Sequence, residues 1–153
     1  MVKTPGEITA IRESNKIVAG VLSYIEKFLN PGITTLEIDD LVEDYIKSRD
    51  GFPAFKGYKV HKNIFPASSC ISINEEVVHG IPGSRKLLEG DIVSIDVGVK
   101  KNGYYGDGAK TFAIGEISPA KKKLMKIAEE SLYLGLENAT DGNYINDVSM
   151  AIQ

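Results

Sequence analysis

Apolar side chains recur at three- and four-residue intervals through Val18, Val21, Leu22, Ile25, Phe28 and Leu29, the stripe of one amphipathic helix. Its start is written in Thr4-Pro5-Gly6-Glu7, which sets an N-cap, a proline at the first helical position and a glutamate at N3. Pro31-Gly32 predicts its end. Thr34-Thr35-Leu36-Glu37 repeats the capping signal, and Ile38, Leu41, Val42, Tyr45 and Ile46 predict a second inward stripe ending near Asp50-Gly51. Residues 52–67 mix glycine, proline and aromatics without a clean period, which predicts a loop. A short strand is expected around Ser69 to Ile73. From Asp91 to Phe112 the pattern turns strand-like, interrupted by Asn102-Gly103, the commonest dipeptide for a two-residue type I′ hairpin. Ser118-Pro119 then opens another helix, running to about Asn138.

The hairpin carries an anomaly. Val93, Ile95, Val97 and Val99 share one face and suit a helix-covered core, while Asp96 interrupts the run on the other. If Asn102-Gly103 sets the register, Lys101 opposes Tyr104, Val97 opposes Gly108 and Asp96 opposes Ala109. Asp107 is then the diagonal neighbour of Asp96 on the same face. Diagonal Cβ atoms lie roughly 7 Å apart, close enough for the carboxylate tips to converge on ions about 3.5–4 Å apart. On the hairpin alone, solvated edge charges are the plainer reading. Three details bring a metal site level with it. A charge within a β-branched apolar run is costly to bury unpaired, Gly106 and Gly108 bracket Asp107 as a close backbone approach or a bulge would require, and His79-Gly80-Ile81-Pro82 offers a second competent side chain.

Composition narrows the partners. The chain has 153 residues, enough for one domain with a core, and its net charge of −3 with no basic stripe argues against nucleic acid. The lone Cys70 excludes an intramolecular disulfide and fits a reducing compartment. No apolar run approaches the roughly 20 residues of a membrane span. The N-terminus leads into a capped helix instead of a signal peptide, so a cytoplasmic protein is expected, with no membrane partner. A shift of 110 residues matches Lys16-Ile17 with Lys126-Ile127, Leu22 with Leu132, Gly32 with Gly142 and Ile38 with Val148. Two helices joined by a glycine stop could coincide this way by chance. If the repeat is real, its second copy stops before any hairpin of its own.

The stretches Cys70-Ile71-Ser72-Ile73-Asn74-Glu75-Glu76-Val77-Val78-His79-Gly80-Ile81-Pro82, Gly90-Asp91-Ile92-Val93-Ser94-Ile95-Asp96-Val97-Gly98 and Tyr105-Gly106-Asp107 resemble the signature of type I methionine aminopeptidases. The similarity extends over essentially all 153 residues. It implies an α+β pita-bread fold of two pseudo-symmetric halves. Here there would be a single incomplete catalytic domain, with residues 1–115 as the first half and 116–153 as the opening helices of the second. It also implies roles: Asp96 chelating one divalent ion, Asp107 bridging two, and His79 contacting the substrate near the scissile peptide and helping with proton transfer. Tyr58, Phe65 and Cys70 match positions lining the pocket for a methionine side chain, and Asn74 a loop near a monovalent cation. The family's remaining ligands, one histidine and two glutamates, come from its second half, whereas the histidines here are His61 and His79 alone.

The activity so implied is metal-assisted removal of the initiator methionine from nascent polypeptides whose second residue is small. Two divalent metal ions would serve, Co²⁺, Mn²⁺, Fe²⁺ and Zn²⁺ being indistinguishable from oxygen ligands. Nascent N-termini, and with them the ribosome surface, are the implied partners, and this chain by itself is expected to be inactive. One departure touches the pocket rim: Asn63 stands where many members have histidine, in a longer loop that leaves His61 as a candidate replacement. Two rivals stay open. A proline-directed Xaa-Pro peptidase would be expected to carry an extra leading domain. A non-catalytic pita-bread binding protein would be expected to lose the acids retained here.

Overall fold

Both capping boxes form. In the computed structural model, which describes residues 2–60 and 62–153, Thr4 opens α1 (Pro5–Ile25). The Glu7 amide donates to Thr4 Oγ1 at 3.3 Å and the Thr4 amide donates to the Glu7 carboxylate at 2.8 Å. Thr34 and Glu37 repeat the arrangement at 3.1 and 2.8 Å at the head of α2 (Thr35–Lys47). A 3-10 turn, Glu26–Phe28, finishes α1. The expected stripes are the buried ones: Val18, Val21, Leu22 and Ile25 from α1, with Ile38, Val42 and Ile46 from α2.

They cover one face of an antiparallel sheet. Its long strands are β5 (Ile92–Lys101) and β6 (Tyr104–Ala113), paired along their full length. The other edge of β5 is shared by β1 (Phe52–Pro53) and β4 (Ser69–Ile73). Val93, Ile95, Val97 and Val99 are completely buried against the helices. Each such side chain contributes about 1.5–3 kcal/mol by leaving water. Gly106 lets α1 lie directly on β6, since a Cβ there would come within 2.6 Å of the Ser14 carbonyl carbon. Ser14, fully buried, donates from its hydroxyl to the Tyr104 carbonyl at 2.9 Å across that contact. Of the two readings of the flanking glycines, close approach is the one realised, because the β5–β6 ladder runs without a bulge.

The stretch expected to be a loop is partly a hairpin. β2 (Lys59–Val60) pairs with β3 (Asn63–Ile64), and the bonds continue as Gly57 N–H to Phe65 O and Phe65 N–H to Tyr58 O, both 2.9 Å. Strands of two residues are too short to show a period, so the sequence offered nothing to read. The expectation concerning His61 lies outside the described residues.

The chain divides into two compact units, the first ending at Glu116 and the second being Ile117–Gln153. In the second, Ser118 caps α3 (Pro119–Asn138), as its dipeptide predicts, and α4 (Ile145–Ile152) follows. The pair packs closely at Gly135, where a Cβ would meet Ile152 at 2.8 Å. Gly32 and Gly142, matched by the 110-residue shift, follow α1 and α3 and share a left-handed backbone, with φ of 100° and 93°. The mixture of helix and antiparallel strand is α+β. No described helix is long and apolar enough to cross a membrane.

Candidate metal centre

The turn delivers the register that the acids need. Asn102 and Gly103 have φ of 51° and 82°, as a type I′ turn requires. Asp96 therefore pairs with Ala109 and Asp107 with Gly98, which makes the two acids diagonal neighbours on the face away from the helices. Cys70, opposite Asp96 on β4, shares that face. Asp107 is exposed and Asp96 half-buried. The Asp96 Oδ1 atom is fully buried, with no hydrogen-bond partner among the described residues. A carboxylate oxygen in that state is costly unless a cation meets it. Burial pushes the Asp96 carboxyl above its ordinary range, and the charge of Asp107 adds to it, while His79 and the Val97 N–H pull the other way.

These groups fit one side of a divalent-ion site: two oxygen donors on a rigid ladder, one of them lacking a partner. Among the described residues no cluster of three or more histidine, cysteine or acidic side chains is placed to hold a metal. Cys70 is not a ligand candidate. Burial, reinforced by the nearby acids, raises its thiol to about 11, so near neutral pH it is protonated and apolar in character.

His79 comes to the site through backbone constraint. Its φ of 62° is the left-handed region, unfavourable for a residue with a Cβ and concentrated at functional sites. The next residue explains how it is held. Gly80 donates to Ser72 Oγ at 3.1 Å and accepts from the Ile71 amide at 2.9 Å, and any Cβ on it would lie 2.1 Å from the Ile71 carbonyl oxygen. Pinned to β4 in this way, the loop presents an exposed imidazole whose charge is felt at Asp96.

The apolar side of the site holds one residue that the sequence reading missed. Phe55 lies over Gly98, where a Cβ would come within 2.4 Å of its ring, and Phe65 meets that ring edge-on at 6.5 Å between centroids. Cys70 thus pairs with Asp96 across the strands, and Phe65 reaches the same face through Phe55. Tyr58, bonded through its carbonyl to the Phe65 amide, is 64% exposed. A glycine in the middle of a strand, facing the site side, was the available signal for Phe55, since such a glycine marks where another group approaches closely. Asn63 is exposed on β3. Asn74, with φ of 54°, ties the end of β4 to the start of β5, donating to Asp91 at 2.7 Å and accepting from the Ile92 amide at 3.2 Å.

Comparison with known proteins gives a consistent picture. Metallopeptidase family M24 matches residues 9–153. Methionine aminopeptidase 1 of Bacillus subtilis is 50% identical over 151 residues, an alignment covering 99% of this chain and 59% of that protein. The crystal structure of methionine aminopeptidase from Rickettsia prowazekii matches with a TM-score of 0.95 at 34% identity, covering 100% of this chain and 60% of that one. The enzyme from Thermotoga maritima gives 0.94 at 39% identity, again with 60% of its length covered. The chain thus spans about 60% of the length of the relatives it matches.

Proposed function

The chain belongs to metallopeptidase family M24, and we propose that it supplies the first two metal carboxylates and the substrate histidine of a methionine aminopeptidase. The observation that carries this reading is the unpartnered, buried Oδ1 of Asp96, set on one face with Asp107 and within electrostatic reach of His79. The substrate would be the N-terminal methionine of newly made polypeptides with a small second residue. Nascent N-termini are then the partner, presented at the ribosome surface in the cytoplasm. The proline-directed and non-catalytic alternatives are not favoured, because the relatives at 34–50% identity described above are methionine aminopeptidases.

Asp96 and Asp107 would hold two divalent ions, Mn²⁺, Fe²⁺, Co²⁺ or Zn²⁺. When bound, such ions supply an electrophile for the scissile carbonyl and an acidified water. The rest falls to the chain's own groups. His79 contacts the substrate near the scissile peptide through an imidazole nitrogen and helps with proton transfer there. Phe55, Phe65 and the protonated Cys70 thiol form an apolar wall that receives an unbranched side chain and excludes water. Asn74, with its left-handed backbone, would border a monovalent cation.

The test is direct. Titration of Mn²⁺ into this chain, followed by its EPR signal, should register binding that Asp96→Ala and Asp107→Ala each abolish. Binding unchanged in both variants would return the acids to surface charges. With Mn²⁺ or Co²⁺ the 153 residues alone are expected to release no methionine from Met-Gly-Met-Met, two carboxylates being a sparse ligand set. Turnover at enzyme-like rates would mean that the site needs nothing further.

A further inference from the structure

Two carboxylates on α2 are spent on something other than solvent. Asp39 is 4% exposed and, among the described residues, makes no ion pair within 4 Å. It is satisfied instead by the backbone entering β4. Its Oδ1 accepts from the Ser69 amide at 2.7 Å, the Ser69 hydroxyl at 2.6 Å and the Ser68 amide at 3.1 Å, and its Oδ2 is 3.2 Å from the same Ser68 amide. One helical turn later, Glu43 accepts from the Ser68 hydroxyl at 2.7 Å and pairs with Lys56 and with Lys47. A fold needing only a stable helix–sheet contact would place aliphatic groups there, since a buried charge must be fully hydrogen-bonded to be tolerated.

What these acids hold is specific. Ser68 and Ser69 immediately precede Cys70, whose Cα pairs with Asp96. Lys56 immediately follows Phe55, whose ring covers Gly98. Both walls of the site that are not ligands are therefore anchored from behind the sheet by one helix. We propose that Asp39 and Glu43 are positioning residues, Asp39 fixing Cys70 through Ser68 and Ser69, and Glu43 fixing Phe55 through Lys56. What the wall is for rests on the function proposed above; that the two acids hold it does not.

Cys70 is the only cysteine and is buried, so its reaction with N-ethylmaleimide reports opening of β4 at that point. Asp39→Asn should label about tenfold faster than the parent chain, the equivalent of about 1.4 kcal/mol of local opening, beyond what its global unfolding in urea accounts for. Val42→Ala, a cavity on the same helix, should label faster only in proportion to its lost global stability. For Glu43→Gln the signature is the Gly98 Hα resonance, which should move away from its ring-shifted position as Phe55 loosens. If Asp39→Asn fails to fold, Ser69→Ala, which removes one bond to Asp39 and leaves the acid in place, is read by the same labelling. Labelling of these variants on the same dependence as Val42→Ala, or an unmoved Gly98 resonance in Glu43→Gln, overturns the proposal. Mn²⁺ titration keeps the two readings apart. Asp39→Asn should retain whatever Mn²⁺ the parent binds, so loss of metal in Asp96→Ala bears on the function and Cys70 kinetics on the clamp.

Discussion

Two hairpins border the candidate site, and they are built to opposite specifications. β5–β6 has ten-residue strands, a type I′ turn and a face of completely buried valine and isoleucine. β2–β3 has two-residue strands, and its Ile64 is 58% exposed. The candidate metal carboxylates, Asp96 and Asp107, stand on the first, while Phe65, just beyond the second, meets Phe55 over Gly98. Ligand geometry has to be held to within about 0.5 Å, whereas a pocket for an unbranched side chain tolerates adjustment. The difference suggests that rigidity is concentrated where charge must be positioned.

The comparison breaks most readily at the core. Ile95→Ala should cost about 2–5 kcal/mol, the ordinary range for a buried isoleucine. Ile64→Ala should stay within about 0.5 kcal/mol, as surface substitutions do. Urea denaturation of the two variants measures both. Similar losses would mean that the short hairpin is as much a part of the folded core as the long one, and the division of labour would fail.

The same contrast decides what could be read in the amino acids. Thr4, Thr34 and Ser118 announce helix starts because capping chemistry is local, and Asn102-Gly103 announces a register because positive φ at both positions is rarely tolerated otherwise. From that register the diagonal placement of Asp96 and Asp107 follows without any tertiary knowledge. Gly98 signalled that some group approaches there, but not that it is Phe55, whose place depends on how residues 54–58 return to the sheet; Ala54, for instance, donates to the Gly98 carbonyl at 2.8 Å. Nor was the use of Asp39. An aspartate one residue after Ile38 on an amphipathic helix reads as a boundary charge, and only the arrival of Ser68 and Ser69 makes it a buried anchor. Tyr58 was named by resemblance alone, and the short hairpin leaves its side chain 64% exposed.

The smallest expected effect sharpens the contrast by pH. Lys47, then Lys56, then the Ser68 hydroxyl hold the Glu43 carboxyl well below its ordinary value, to about 2. A depressed folded-state value means that its contribution to stability is fully present above the ordinary value of 4.5 and is lost as pH falls through about 2. Because the two lysines are about half exposed or more, that contribution is about 1 kcal/mol or less. On the long hairpin the sign reverses, since burial raises Asp96 and protonation there relieves a penalty. Acid should therefore act on the two hairpins unequally. Amide exchange at Gly57 and Phe65 should quicken relative to Val97 as the pH is lowered from about 4.5 towards 2, and Glu43→Gln should flatten that dependence. Salt should weaken it as well, because the lysines are open to screening. Exchange that rises equally at all three amides would mean that acid opens the unit as a whole, leaving Glu43 no particular hold on the short hairpin.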